Sequence, residues 1–295
     1  MGYSTARVSD AADLNPRLRR IRFDVPGLEQ LRLPDGADEA VGIYFPRDGE
    51  TSPPPMTLRD GVWAYHDVDP VPPGRSYSVR AVDHESRSMT VDFVVHSRGP
   101  ATMWAQGARP GDEVGMSHAR GWYGPPPTAD WHLLVADLAG LPALARILDE
   151  HNSPASVIAV VEVAADDDVA YLSNRVGSTG TRIIPHVGTG NGLAPSVLGT
   201  AVRRLTLPEG QGYCWFAGEA AQSRDVRKYL RNDRGWQRDR YDIIGYWRAE
   251  GENWARRYAE HGDELFAVYQ RAISAGKSEK AAAEEFDEAL ERAGL

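Results

Sequence analysis

One cysteine, Cys214, is all the sequence offers for redox cross-linking, so no internal disulfide can form. It sits in the apolar run Tyr213-Cys214-Trp215-Phe216, where a buried and inert thiol is expected. Long apolar stretches are missing too. The opening MGYSTARVSDAADL has no apolar core, and the most apolar window, Trp131 to Ala145, is interrupted by Asp137. Neither a signal peptide nor a membrane span is expected, and the expected compartment is the cytoplasm. Positive charge is also short: a formal net charge of −9 argues against non-specific nucleic-acid binding, which needs a basic surface. The eight histidines are scattered, with no His-Glu-x-x-His and no cysteine cluster, so no resident metal site is expected. Neither Gly-x-Ser-x-Gly nor a pair of catalytic carboxylates stands out, and Asp166-Asp167-Asp168 reads as a solvated loop charge run.

What remains is a chain long enough, at 295 residues, for two compact domains. Its first third reads as short strands. Arg17 to Val25 alternates cationic and apolar residues at period two, Val41 to Pro46 follows, and Pro and Gly punctuate the segments between. No helical period is convincing before residue 100, which suggests an antiparallel barrel. From residue 130 the rhythm changes. Trp131 to Ala136 is a continuous apolar run, as in a strand buried on both faces, and a helix over Leu141 to Glu150 follows. Strands at Ser156–Val163, Thr181–Val187, Tyr213–Ala217 and Tyr241–Tyr246 alternate with helices at Ala194–Leu205 and Ala220–Asn232. That pattern implies a doubly wound parallel sheet, which binds ligands at the carboxyl ends of its strands. Gly188-Thr189-Gly190-Asn191-Gly192 lies after the third strand with the wrong spacing for a dinucleotide fingerprint, and reads as a flexible turn. Residues 252–295 carry two amphipathic periods with Ser278 as an N-cap, giving two packed helices or a regulatory flap.

The informative stretch runs from Arg75 to Ala105. Arg75-Ser76-Tyr77-Ser78-Val79-Arg80 alternates like a strand, with Arg75, Tyr77 and Val79 on one face and Ser76, Ser78 and Arg80 on the other. Asp92 to His96 reads as a second strand, and Ala101 to Ala108 as a short helix entered through Gly99-Pro100 beside Arg98. Free amides and a positive helix end there suit a pyrophosphate; two barrel strands and a plain loop would give the same pattern. Ser117 to Pro127 carries His118, Arg120 and two aromatics, either a lip over a ligand or a Pro-stiffened connection.

Arg-x-Tyr-Ser-x-Arg (Arg75, Tyr77, Ser78, Arg80), followed by His96-x-x-Gly99-Pro100-Ala101-x-x-Trp104-Ala105, resembles the flavin-binding signature of the siderophore-interacting protein family of the ferredoxin-reductase-like superfamily. The resemblance continues through Pro110-Gly111-Asp112, Asp137 with Leu141-Pro142-Ala143, Ala217-Gly218-Glu219 and Gly245-Tyr246-Trp247-Arg248, from about residue 17 to 250. It implies a six-stranded FAD-binding barrel over 1–128, an α/β domain of NAD(P)-binding type over 129–250, and a helical extension over 251–295. It further implies that Tyr77 and Ser78 flank the isoalloxazine, and that Arg75, with Arg98, neutralises the pyrophosphate. The backbone from Gly99 through Pro100 and Ala101 to Thr102 would offer amides, His96 would lie near the flavin or adenine, and Ser76, Arg80, Val94 and Trp104 would complete the cofactor site. Asp137, Ala139, Gly218, Glu219, Tyr246 and Trp247 are the implied nicotinamide site.

The implied activity is FAD-dependent reduction of a ferric siderophore, with electrons from NAD(P)H or reduced ferredoxin and no catalytic side chain beyond the flavin. An anionic ferric chelate would be drawn to His118, Arg120, Arg224 and Arg248. Two departures matter. The family's pocket is often lined by lysines, but the only lysines are Lys228, Lys277 and Lys280, so arginine must substitute. Leu138 also stands where the family tends to have an acidic residue, which bears on nicotinamide handling. A flavin reductase for another acceptor, and a siderophore- or flavin-binding protein without turnover, are the alternatives.

Overall fold

The computed structural model describes residues 2–96, 99–173, 180–249 and 251–295. The chain divides into two units, Met1–Tyr246 and Trp247–Leu295, each described by itself.

The first unit begins with a hairpin of β1 (Tyr3–Asn15) and β2 (Leu18–Asp24). Its turn is fixed by the Asn15 side-chain oxygen, which accepts from the amides of Arg17 and Leu18 at 2.8 Å each. A single-turn helix α1 (Leu28–Leu31) leads to β3 (Ala40–Tyr44). A small ribbon follows, β4 (Thr57–Arg59) and β5 (Val62–Ala64), which turns at Asp60-Gly61 with both residues at positive φ. Then come β6 (Gly74–Asp83), β7 (Ser88–Val94), α2 (Pro100–Gly107) and β8 (Glu113–Arg120).

Strands β1-β2-β7-β6-β3-β8 close into the expected six-stranded antiparallel barrel. Alternation fills it: Ile21 and Phe23, Val41 and Ile43, Met89, Val91 and Phe93, and Val114 and Met116 all point inward and are fully buried. Boundaries differ from the sequence reading, among them the second signature strand, expected over Asp92–His96 and found over Ser88–Val94. The polar first strand β1 was not expected, and Ser117 to Arg120 continues β8 instead of opening the loop.

Next come β9 (Trp131–Ala136), α3 (Leu141–Glu150), β10 (Ser156–Val163), α4 (Asp166–Ser173), β11 (Thr181–Val187), α5 (Leu198–Arg204), β12 (Gly212–Glu219), α6 (Ala220–Lys228) and β13 (Tyr241–Trp247). The sheet order is β11-β10-β9-β12-β13, with β9 parallel to β10 and β12, and β10 parallel to β11. Leu134 and Ala136 enter the core on one face of the sheet and Leu133 and Val135 that on the other, which is why β9 reads as uninterrupted apolar sequence. At one margin, β11 carries Pro185, which has no N–H to donate.

Barrel and sheet are tied by ion pairs within this unit. Arg17 Nε donates to both carboxylate oxygens of the fully buried Asp168, at 3.0 and 2.8 Å. The Asp166–Asp168 run is therefore no solvated loop. It opens α4, and Asp168 also accepts from the amides of Ala164 and Ala165. Arg20 grips Asp92 through two bonds of 2.7 Å, and the Tyr171 hydroxyl of α4 donates to the same carboxylate at 2.6 Å.

The second unit contains two helices, α7 (Gly251–Ser274) and α8 (Glu279–Arg292), joined at Ala275–Ser278. As expected, Ser278 caps α8, its hydroxyl accepting from Ala281 N at 3.3 Å. Phe286 meets Tyr258 and Phe266 edge-on, with centroids 6.5 and 6.2 Å apart.

Candidate functional site

The flavin-signature residues occupy the neighbouring strands β6 and β7 and the helix that leaves β7. Tyr77 and Val79 turn into the barrel while Ser76, Ser78 and Arg80 turn out, and a bulge between Val79 and Ala81 then breaks the alternation. The Tyr77 ring lies 4.3 Å from that of Phe93 and edge-on to Phe45 at 6.3 Å, so burial pushes its phenol well up. Trp104 of α2 completes this aromatic group, with centroids 5.1 Å from Phe45 and 6.0 Å from Phe93. The β6/β7 pairing runs from Asp83–Ser88 to Val79–Val91, Arg75 pairs with Ile43 of β3, and His96, two residues beyond β7, is exposed. The exposed Arg75 guanidinium donates to Gly74 O at 2.7 Å. Val94 ends β7, and its carbonyl accepts from the Thr102 hydroxyl at 3.5 Å.

At the start of α2 the backbone bends sharply. Gly99 has φ 115°, a conformation that L side chains avoid, and Pro100 supplies the first helical residue. The N-cap residue is Gly99, which has no side chain to cap the first amides of α2, those of Ala101 and Thr102 among them. Arg98 lies outside the described residues.

A second group faces the sheet. Ser78, buried, donates to the Tyr246 hydroxyl at 3.4 Å, and burial holds that phenol well above its ordinary pKa. Arg120 reaches back to Ser76 Oγ and lies over the Trp122 ring at 5.3 Å. His118, at φ 54°, has its Nδ1 3.1 Å from the Tyr44 hydroxyl. Burial first, and the Arg120 charge second, hold this imidazole below its ordinary pKa, so His118 is a neutral group and not the cation expected. The loop after β8 is pinned by Asp38, which is fully buried and accepts from Trp122 N and Tyr123 N at 2.8 Å each and from Trp215 Nε1 at 3.0 Å. Burial still raises the Asp38 pKa against those three bonds.

The expected nicotinamide residues sit at the carboxyl ends of β9, β12 and β13. Asp137 Oδ1 accepts from Ala139 N at 2.9 Å and Gly140 N at 3.3 Å, while Leu138 N donates to Asn191 Oδ1 at 2.8 Å. A Cβ on Gly218 would come within 2.9 Å of Asp137 Oδ2, so the close approach of β12 requires glycine. Glu219 caps α6, accepting from Ala221 N and Gln222 N at 2.7 and 3.1 Å. The Gly188–Gly192 turn is held rather than loose. Glu162 accepts from Thr189 Oγ1 at 3.0 Å and Val197 N at 2.7 Å, and a Cβ on Gly190 would fall 1.8 Å from its carboxylate.

Four expected residues, Arg80, Arg224, Trp247 and Arg248, stand apart from this grouping. Arg80 is turned toward α3 and pairs with Asp149. Arg224 is half-buried on α6. Trp247 and Arg248 belong to the C-terminal unit, where Arg248 lies 4.5 Å over the Trp254 ring and 3.9 Å from Asp287. Sequence reasoning missed Asp38, Glu39, Arg146, Glu162 and Asn191, whose partners are distant along the chain. Among the described residues no three His, Cys, Asp or Glu side chains converge to hold a metal ion, and no helix is long and apolar enough to cross a membrane.

Comparison with known proteins gives two adjacent family matches. Residues 7–123 match the siderophore-interacting FAD-binding domain, and residues 129–250 match the siderophore-interacting protein domain. The chain is 30% identical over 243 residues to the ferric vibriobactin reductase ViuB of Vibrio cholerae, which covers 79% of this chain and 85% of that protein. With the NADPH-dependent ferric-chelate reductase of Escherichia coli it shares 26% identity over 219 residues, 73% of this chain and 81% of that one. Among solved structures, a siderophore utilization protein from T. fusca superposes with a TM-score of 0.72 at 30% identity, covering 83% of this chain and 92% of that chain. A ferredoxin NADP+ reductase from Neisseria gonorrhoeae with bound FAD and NADP, at 12% identity and a TM-score of 0.59, covers 84% of this chain and all of its own (100%), and shares the fold.

Proposed function

Because the chain belongs to the siderophore-interacting protein family and its cofactor is FAD, we propose that it reduces ferric siderophores in the cytoplasm, drawing electrons from reduced ferredoxin or NAD(P)H. The observation that carries this reading is an exposed cation, Arg75, on β6, with a helix entered through Gly99-Pro100 following the neighbouring strand β7. These groups fit FAD: a guanidinium and the first amides of a helix suit a diphosphate. In this reading Arg75 and the backbone from Gly99 through Pro100 and Ala101 to Thr102 hold the phosphates. Tyr77, Ser76, Ser78, Val94, His96 and Trp104 line the ring and adenosine portions. Bound FAD supplies the exchange between a donor and a one-electron acceptor.

The chain's own work is to bind and orient the ferric chelate. Arg120, set between Ser76 and the Trp122 face, presents its charge beside Ser78 and attracts an anionic chelate, with His118 as a neutral hydrogen-bonding neighbour. Arg224, half-buried on α6, would add to that attraction. Hard oxygen ligands hold Fe(III) far better than Fe(II), so reduction alone releases the metal, and no general acid is required.

One feature bears on the donor. The amides of Leu138, Ala139 and Gly140 are taken by Asn191 and by the buried Asp137 carboxylate, so these three amides of the first strand-to-helix turn are not ready for a pyrophosphate. This favours reduced ferredoxin over a nicotinamide held by Asp137, Ala139, Gly218, Glu219 and Tyr246.

The test is anaerobic. The purified yellow protein is mixed in turn with NADPH, NADH and reduced ferredoxin, and a ferric siderophore is then added while flavin absorbance is followed. Reoxidation of the flavin with appearance of Fe(II) is expected. Flavin that stays reduced in the presence of the ferric siderophore rejects the proposal.

A further inference from the structure

The second arginine of the signature does not point where the first does. Arg80 has a side chain 11% exposed, its guanidinium paired with Asp149 on α3, and its Nε buried without a partner. From the same helix, Arg146 reaches the other way. Its Nη1 donates to Glu39 Oε2 at 2.8 Å and to the Val79 carbonyl at 3.2 Å, while its Nε donates to Glu150 at 2.6 Å. The barrel thus gives a cation to α3 and α3 gives one back.

What the exchange holds is the stretch around Ser78. Glu39 immediately precedes Ala40, the β3 residue paired with Ser78, and Val79 N donates to the Glu39 carbonyl at 2.7 Å. Val79 is therefore fixed at its amide by Glu39 and at its carbonyl by Arg146. Ser78 and Arg80 leave β6 on the same face, two residues or roughly 7 Å apart. Ser78 meets Tyr246 from β13, and Arg80 meets α3. Ser78 is buried and the Arg80 and Arg146 side chains are each 11% exposed, while Asp149 is 37% exposed, so loss of Asp149 leaves a largely enclosed guanidinium without its counter-charge.

We propose that Arg80 is a positioning residue and not a cofactor ligand: with Asp149, and in parallel with Arg146 and Glu39, it latches β6 to α3 and so sets Ser78 against Tyr246 at the flavin ring. The proposal rests on the flavin site assigned above, but its readouts do not all depend on siderophore turnover.

Four variants of the full chain test it: Arg80→Gln, Asp149→Asn, the two combined, and the charge swap Arg80→Asp with Asp149→Arg. For each, the FAD dissociation constant, the flavin midpoint potential and the rate of flavin reoxidation by a ferric catecholate are measured, with Arg75→Gln alongside. Arg80→Gln and Asp149→Asn are expected to keep FAD affinity within about threefold while slowing reoxidation roughly tenfold or more, as a displaced reacting group does. Both should shift the flavin potential in the same direction. The combined variant should be no worse than either single one, because the two residues act as a unit, and the swap should recover most of the loss.

Loss of FAD from Arg80→Gln to the extent seen in Arg75→Gln, with Asp149→Asn unchanged, would make Arg80 a cofactor ligand and overturn the proposal. So would full activity and an unmoved potential in both single variants. If the parent protein binds FAD but no ferric chelate reoxidises it, the functional reading fails while the potentials still decide the latch.

Discussion

In the proposed reading two arginines, Arg75 and Arg120, would divide binding of cofactor from binding of substrate. Arg75 is exposed and its one described bond is to a neighbouring carbonyl, so its charge is available to a diphosphate. Arg75→Gln should weaken FAD binding roughly ten- to a hundredfold, the loss of one charge-assisted hydrogen bond of about 1.5–3 kcal/mol, measured by quenching of flavin fluorescence. The deficit should shrink as salt is raised, since screening weakens the parent too. Arg120 sits against Ser76 and Trp122. Arg120→Gln should leave FAD affinity nearly intact, raise KM for an anionic ferric siderophore several-fold and change kcat little, because a steering charge acts mainly on encounter. An equal fall in kcat and kcat/KM would instead place Arg120 at the reacting centre.

At the scale of elements, caps and registers carry the argument. Ser278 is the N-cap of α8, and Ser278→Ala should cost about 1 kcal/mol within the C-terminal helical unit, seen as an earlier loss of ellipticity in urea. The same cap was readable in the sequence because a serine followed a helix stop and preceded an apolar period. So were β9, a run buried on both faces, and the β6–β7–α2 unit, whose β-branched residues and Gly-Pro break are local signals. The first strand was not readable. Its segment Tyr3–Asn15 is mostly polar, and only Ala6 and Val8 of its later inward positions announce a core. The helix α4 was hidden by its three aspartates, because a charge run looks solvated until the partner of Asp168, Arg17, is found 151 residues away. The Arg146–Glu39 pair spans 107 residues, and no periodicity encodes such a contact. The site was thus legible as residue types, and its grouping of Ser78, Arg120 and Tyr246 was not, since that depends on how barrel and sheet are packed.

The whole first unit has one built-in weakness toward acid. His132 lies in β9, fully enclosed, with its Nδ1 3.1 Å from the Tyr123 hydroxyl and its ring 5.2 Å from that of His151. Burial, with His151 adding, pulls its pKa down from 6.5 to about 4. The unfolded chain therefore binds a proton that the folded one refuses between those values, so the stabilising contribution is complete above about pH 6.5 and is lost as the pH falls toward 4. Urea midpoints should drop over that window, and His132→Gln should flatten the slope while lowering stability at neutral pH. An unchanged slope in that variant would assign the acid limb to other groups.

The proline in β11 has a consequence beyond the molecule itself. A rolled-up barrel offers no margin to another chain, whereas a sheet of five strands has two. At one of them an incoming copy would find Pro185, which cannot donate, and the exposed charge of Arg182 repelling its own duplicate. Both features disfavour strand addition there, and Pro185→Val, which restores a donor on that border, should raise the tendency to aggregate.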